Sequence, residues 1–210
     1  MLTRIRKIKD VTLIALVCTV MLLFTAGQRT FSYMKEKAAR SSGSLTATVL
    51  SVDDFELSGI RKEDSGYVTV NDDPQMVYVY DGYISEVRME MKYSLEPGEI
   101  VMYYTNPGDA GFSPRKRIWA VPDGERGYVF SLPMQQVHEI RIDPTMYPSN
   151  RLSFGDIEVN PRTGAEKFYS VSRRQLFYFL IYAGIASAVL KFLLVLADNK
   201  EKKESSRAQD

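Results

Sequence analysis

Ser85–Leu95 reads SEVRMEMKYSL, with Val87, Met89, Met91, Tyr93 and Leu95 alternating with Arg88, Glu90, Lys92 and Ser94. Successive side chains of a strand point to opposite faces, so this period of two predicts a strand with one face in a core and the other in water. Shorter runs of the same kind lie at Leu45–Val52, Tyr67–Val70, Met76–Tyr80, Glu99–Tyr104, Arg117–Val121, Gly127–Leu132, Val137–Ile142 and Leu152–Val159. Between them stand residues suited to tight turns: Asn71-Asp72-Asp73-Pro74, Asp81-Gly82, Glu96-Pro97-Gly98, Asn106-Pro107-Gly108-Asp109, Pro122-Asp123-Gly124 and Asp143-Pro144. Short strands at intervals of about ten residues, with no helical stretch among them, predict an all-β domain, an antiparallel jelly-roll-like β-sandwich over residues 45–160.

Both flanks of this domain are apolar. Leu176–Ala197 (LFYFLIYAGIASAVLKFLLVLA) would rise roughly 33 Å as a helix, enough to cross a hydrocarbon core about 30 Å thick. Val11–Gly27 is a second apolar run behind Arg4, Arg6, Lys7 and Lys9. It exceeds the usual apolar stretch of a signal peptide and its small-residue cut site is poor, so an uncleaved anchor is expected. Cys18, the single cysteine, follows Leu16 and Val17 rather than a small residue, which argues against lipidation, and no intramolecular disulfide can form.

Basic residues outside the two runs set the orientation. Four precede the first, and Lys200, Lys202, Lys203 and Arg207 follow the second; the inner flanks carry Arg29, Lys35, Lys37, Arg40, Arg173 and Arg174. The excess side is cytoplasmic. The expected organisation is a cell-membrane protein with both termini cytoplasmic and its central domain extracytoplasmic. Its parts are a basic N-terminus (1–10), a first span (11–27), a linker (28–44), the sandwich (45–160), a juxtamembrane linker (161–175), a second span (176–197) and a cytoplasmic tail (198–210).

Phe31 and Tyr33 on one flank, and Phe168, Tyr169, Phe177, Tyr178 and Tyr182 on the other, suit a membrane interface. Within the second span, Ala183 with Ser187 and Gly184 with Ala188 are each four apart. Small residues on one helix face allow a second helix to come close, and the first span is the nearest partner. Lys191 is the one charge inside either span; its stem is long enough to snorkel to the cytoplasmic interface, the alternative being a buried ion pair.

The formal charge of +1 hides a division. Residues 45–167 hold 20 Asp and Glu against 12 Lys and Arg, while the remainder is basic. A domain so acidic has no footprint for nucleic acid. Catalytic patterns are absent: there is no phosphate loop, zinc spacing or nucleophile elbow. His138, the single histidine, shares a strand face with Ile140 and Ile142 and reads as a core or rim residue. The acidic clusters Asp53-Asp54-Glu56 and Asp72-Asp73 read as solvated turns, so neither metal nor cofactor is expected. Among the aromatic residues Tyr103, Tyr104 and Tyr147 are candidates for stacking on sugar rings, whereas Trp119, between Ile118 and Ala120, is expected mostly buried.

One stretch carries a resemblance. Asp73-Pro74-Gln75 leads into a strand; VMYYT (101–105) is followed by a turn at Phe112 and Ser113; a strand closes on Leu132-Pro133; Ile140-Arg141-Ile142-Asp143-Pro144 precedes the final strand LSFGDIEVN (152–160). Over about 90 residues this resembles the extracytoplasmic β-sandwich modules attached to bacterial cell-envelope polysaccharide and glycosyltransferase membrane proteins. The chain lacks a transferase or many-span region. The resemblance therefore implies a non-enzymatic accessory or glycan-interacting subunit, whose partners would be the membrane, a multi-span membrane protein or a second copy of itself, and a glycan. A chain-length regulator of polysaccharide export shares the two-span topology but is rich in long helices; a small envelope hydrolase is the remaining alternative.

Overall fold

The computed structural model describes residues 10–124, 127–162 and 164–207. Arg4, Arg6, Lys7 and Lys9, and the side chains of Lys202, Lys203 and Arg207, which entered the orientation argument, lie outside the described residues. The chain forms two units, Lys35–Thr163 and the paired terminal segments Met1–Met34 and Gly164–Asp210. It is not all-β: a ten-stranded antiparallel sheet is accompanied by two long helices, α1 (Asp10–Ser41) and α3 (Arg173–Arg207), with a short α2 (Glu166–Tyr169) before the latter.

The sheet comprises β1 (Thr48–Leu50), β2 (Glu56–Ser58), β3 (Ile60–Glu63), β4 (Gly66–Thr69), β5 (Gln75–Tyr93), β6 (Val101–Thr105), β7 (Arg117–Trp119), β8 (Val121–Asp123), β9 (Gly127–Asp143) and β10 (Arg151–Val159). Its main path runs β3-β4-β10-β5-β9-β6-β7. Two strands dominate. β5 and β9 are 19 and 17 residues long and pair with each other along their length. The first half of β5 pairs with β2, and the second half of β9 with β6, which pairs with β7; the other halves join β10 and β8. One continuous sheet thus has two halves, and they enclose a common core.

The bend between the halves comes from interrupted register. Val79 faces Glu139 and Gly82 faces Val137, so Tyr80 and Asp81 oppose His138 alone; Ile84 faces Gln135 and Glu86 faces Ser131, so Ser85 opposes three residues. Extra residues of this kind bend a ladder and reset which side faces inward. Met76 and Ile84 are buried in the first phase of β5, Val87, Met89 and Met91 in the second; in β9 Phe130, Val137, Ile140 and Ile142 are buried across two resets. This corrects two expected breaks. Asp81-Gly82 is not a turn between strands but part of a bulge, with Asp81 at φ 49°, and β9 continues through Leu132-Pro133.

Ser85–Leu95 is accordingly the second half of β5, and its alternation holds only as far as Met91. Tyr93 and Leu95 are exposed because the strand ends at Tyr93 and the chain turns, with the Leu95 backbone held by Asn150. The core gathers Phe130, Met76, Met89, Met91, Met102, Ile140, Ile142 and Ile157 from both halves. Each such side chain contributes roughly 1.5–3 kcal/mol on burial.

Both ends of β10 are fixed by buried asparagines. At its start, Asn150 Oδ1 accepts from Leu95 N and Ser94 Oγ, while Asn150 N donates to Thr69 Oγ1. Just past its end Asn160, at φ 53° and fully buried, reaches the bulge: Ser85 N donates to its Oδ1 at 2.8 Å, and its Nδ2 lies 2.7 Å from Tyr83 O, 3.1 Å from Thr46 O and 3.2 Å from Tyr80 Oη. Residues 28–44, expected as a linker, are helical to Ser41. Within the sandwich unit, Arg40 binds Glu36 and donates to the carbonyls of Asn160 and Pro161, which orders the chain on both sides of the sheet.

In the other unit, α1 and α3 run antiparallel. Lys191 Nζ lies 2.6 Å from Asp10 Oδ1, and Arg29 Nη1 donates to Ser170 O. Lys191 is therefore ion-paired rather than alone at the interface. Tyr33 packs edge-on against Phe168 at 5.5 Å, and Thr30 Oγ1 is 3.0 Å from Tyr169 Oη. Along α3, Ala183 and Ser187 are buried, while Gly184 and Ala188 are exposed and nothing lies within 4 Å of where a Gly184 Cβ would be.

Asn160→Ala leaves the Tyr83 and Thr46 carbonyls and the Ser85 amide without their side-chain partner, and unsatisfied buried groups cost about 1–3 kcal/mol each. Denaturant titration of the full chain in detergent should show a loss of about 2–4 kcal/mol, against under about 0.5 kcal/mol for Val49→Ala on the exposed side of β1. In the helix pair, Ala183→Leu should lower thermal resistance to separation of α1 from α3 and Gly184→Leu should not, as read by cross-linking between the two helices.

Candidate functional site on the outer sheet face

The half-sheet β2-β5-β9-β6-β7 has an inner side formed by Met76, Ile142, Met102 and Ile118, so the intervening residues face away from the core. Register sets these in rows. Trp119 stands opposite Val101, which stands opposite Asp143; in the next row Arg117, Tyr103, Arg141 and Val77 follow one another across four strands. Strand alternation explains Trp119 once its neighbours are placed: with Ile118 and Ala120 packed against the core, its ring must leave on the other side. It is 49% exposed, contrary to the expectation of burial, and is the most exposed aromatic residue of the sandwich.

Two arginine–aromatic stacks occupy this face. The Arg141 guanidinium lies 4.6 Å from the Tyr103 ring centroid and 5.9 Å from that of Phe112. Its edge is taken by Asp143, Nε to Oδ1 at 2.8 Å and Nη2 to Oδ2 at 2.7 Å, with Asp73 3.8 Å away. Burial pushes the Asp143 carboxyl up, opposed by the two bonds from Arg141. In the second stack the Arg117 guanidinium lies 4.3 Å from the Trp119 ring centroid. Arg117 is exposed and makes no ion pair among the described residues.

The three tyrosines singled out for sugar stacking do not meet. Tyr103 belongs to this face, half-buried beneath Arg141; Tyr104 points inward and packs against the core; Tyr147 is exposed in the loop after β9, near Gly98 and Met146. The signal that finds the exposed Trp119 is ArgxTrp on a strand beside an apolar neighbour pair, which sequence reading resolved toward burial.

His138 sits at the bulge, with Nδ1 2.5 Å from Asp81 Oδ1, and no serine or cysteine is hydrogen-bonded to it among the described residues. The bulge reset removes it from the inward face of Ile140 and Ile142, making it a rim residue. The acidic turns are occupied locally: Asp53 binds Lys62 and Tyr67, Asp54 accepts from Ser51, and Asp73 accepts from Gln75. Among the described residues no three His, Cys, Asp or Glu side chains group as a metal site.

No family model matches the chain, and no curated protein matches it. Among solved structures it is similar to a xylan-binding module, CBM86, from Roseburia intestinalis, at 10% identity and a TM-score of 0.39 over 57% of this chain and 98% of that one. It is also similar to a β-1,3-glucan binding family 6 module from Bacillus halodurans, at 13% identity and 0.36 over 56% and 97%. A carbohydrate-binding module of family 29 gives 11% identity and 0.38 over 63% and 99%. With TM-scores this low, the case for a ligand rests on the side chains of this chain alone.

Asp81 raises the His138 pKa above its ordinary value, chiefly through their hydrogen bond. A raised folded-state pKa contributes stability that is present below the unfolded value of about 6.5 and lost as pH rises through the folded one. Because His138 is the single histidine, proton NMR should resolve its midpoint above about 6.5, returning toward that value in Asp81→Asn. Thermal melts should show the wild-type advantage over Asp81→Asn at acid pH and its disappearance at alkaline pH.

Proposed function

We propose that this chain is a two-span membrane protein that displays its sandwich on the extracytoplasmic side and serves, without catalysis of its own, as a glycan-interacting accessory subunit of a cell-envelope polysaccharide system. Two helices long and apolar enough to cross a membrane support membrane attachment. The distribution of basic residues supports both termini being cytoplasmic. The observation that carries the glycan reading is Trp119, half-exposed on the outer sheet face one row from Arg117, Tyr103 and Arg141. An indole held open to water on a rigid strand is a platform for a sugar ring, because its apolar face gains from stacking while the sugar hydroxyls keep hydrogen-bonding partners at the rim. Prevalence of strands over long helices outside the spans favours this reading over a chain-length regulator.

Full-length protein in neutral-lipid nanodiscs, titrated with a panel of soluble bacterial polysaccharides, tests the reading. Binding should fall by about tenfold in Trp119→Ala, corresponding to loss of one stacking contact of about 1.4 kcal/mol, and stay unchanged in Tyr104→Phe, whose ring faces the core. Cross-linking in native membranes followed by mass spectrometry should recover a multi-span membrane protein of polysaccharide assembly or export. Capture of this chain alone would count against the accessory role.

A further inference from the structure

From the two arginine–aromatic stacks we infer that this face, given the glycan reading on which the inference rests, selects acidic polysaccharides, and that Arg117 with Trp119 reads the carboxylate of a hexuronic acid. The first stack shows how the sheet handles such a group. Arg141 lies over Tyr103 and grips Asp143 through two parallel bonds, Nε to Oδ1 and Nη2 to Oδ2. A guanidinium stacked on a ring keeps its in-plane N–H groups directed sideways, which is the fork that matches a planar carboxylate.

The second stack repeats ring and guanidinium and lacks the carboxylate. Arg117 lies 4.3 Å from the Trp119 centroid, on the strand directly across from Tyr103, and the position two residues along that holds Asp143 in the first stack holds Trp119 itself in the second. The fork of Arg117 is free among the described residues and both side chains are exposed.

Against the acidic balance of the segment, the charge is locally basic at this edge. Arg115-Lys116-Arg117 is the one run of three basic residues in the acidic segment 45–167. Lys116 is spent on Asn106 and Asp109 within its own loop, leaving Arg115 and Arg117 as exposed cations, of which Arg117 lies over the indole. A neutral glycan would need the ring alone and gives no use to an unpaired guanidinium held in place over it. A uronate supplies both the stacking face and the missing carboxylate from one residue.

The test uses full-length protein in neutral-lipid nanodiscs at low ionic strength, titrated with polygalacturonate and with the same polymer after carboxyl reduction. Wild type should prefer the acidic form by about tenfold, the worth of one charge-assisted pair. Arg117→Gln should bring the two affinities to within about twofold, and Arg117→Lys should keep only part of the preference, because a point charge lacks the fork. Unchanged thermal midpoints verify that the variants are folded. Equal affinity of wild type for both polymers, or a preference that survives Arg117→Gln, overturns the inference while leaving the glycan reading intact. Binding to neither polymer nor to any neutral glycan overturns both. Binding to dextran sulfate or to anionic phospholipid vesicles in place of polygalacturonate, lost in Arg117→Gln, assigns the fork to another anion and overturns the uronate assignment.

Discussion

The sandwich unit depends on the buried amide of Asn160. Where β5 and β9 bend, Ser85 drops out of the ladder while Tyr83 stays in register with Gln136, and the Ser85 amide and the Tyr83 carbonyl both turn to a side-chain partner; a buried group without one would cost about 1–3 kcal/mol. Asn160 supplies a donor to Tyr83 and an acceptor to Ser85 from one planar group, while its own N–H bonds Glu86 and its carbonyl receives Arg40. The left-handed backbone at Asn160 is what turns the side chain back toward the corner, and asparagine tolerates that conformation better than most residues. Without the bulges Met76 and Met91, an odd number of residues apart on β5, would lie on opposite faces of the sheet and could not share a core.

The bend also determines what the outer face presents. Each reset exchanges the inward and outward phases, so the residues reaching solvent on β9 beyond the corner are Glu139, Arg141 and Asp143, in register with Tyr103 of β6 and then Arg117 of β7. Shifting this register by one residue would place Trp119 and Arg141 in the core and expose Ile118 and Ile142. The outer row and the core are therefore one decision, made at the bulges.

Much of the architecture was legible in residues. Period-two alternation located the sheet, and length with apolarity located both helices. What escaped was phase. Asp81-Gly82 and Leu132-Pro133 have the composition of turns, and nothing local distinguishes a turn from a bulge whose partner strand continues; the difference lies in β9 being long enough to follow β5 around the corner. The helical continuation of α1 to Ser41 escaped for a related reason. Ala38-Ala39-Arg40-Ser41 resembles a flexible linker until Arg40 meets the Asn160 and Pro161 carbonyls, about 120 residues away in sequence.

The site was legible only in part, because alternation predicts a side but not its sign. Trp119 between Ile118 and Ala120 can be read as one apolar run buried on both sides or as an exposed ring flanked by two core residues, and β7 lies at the edge of the sheet path, where the second arrangement is possible. Size argued for burial, whereas the neighbours argue for exposure: Arg117 shares the Trp119 side of the strand, and residues spaced by two reach the same face. That constraint was present in the sequence. In β7 the arginine two positions from the tryptophan, with Ile118 and Ala120 apolar enough to be the core, is the local feature that goes with an exposed ring.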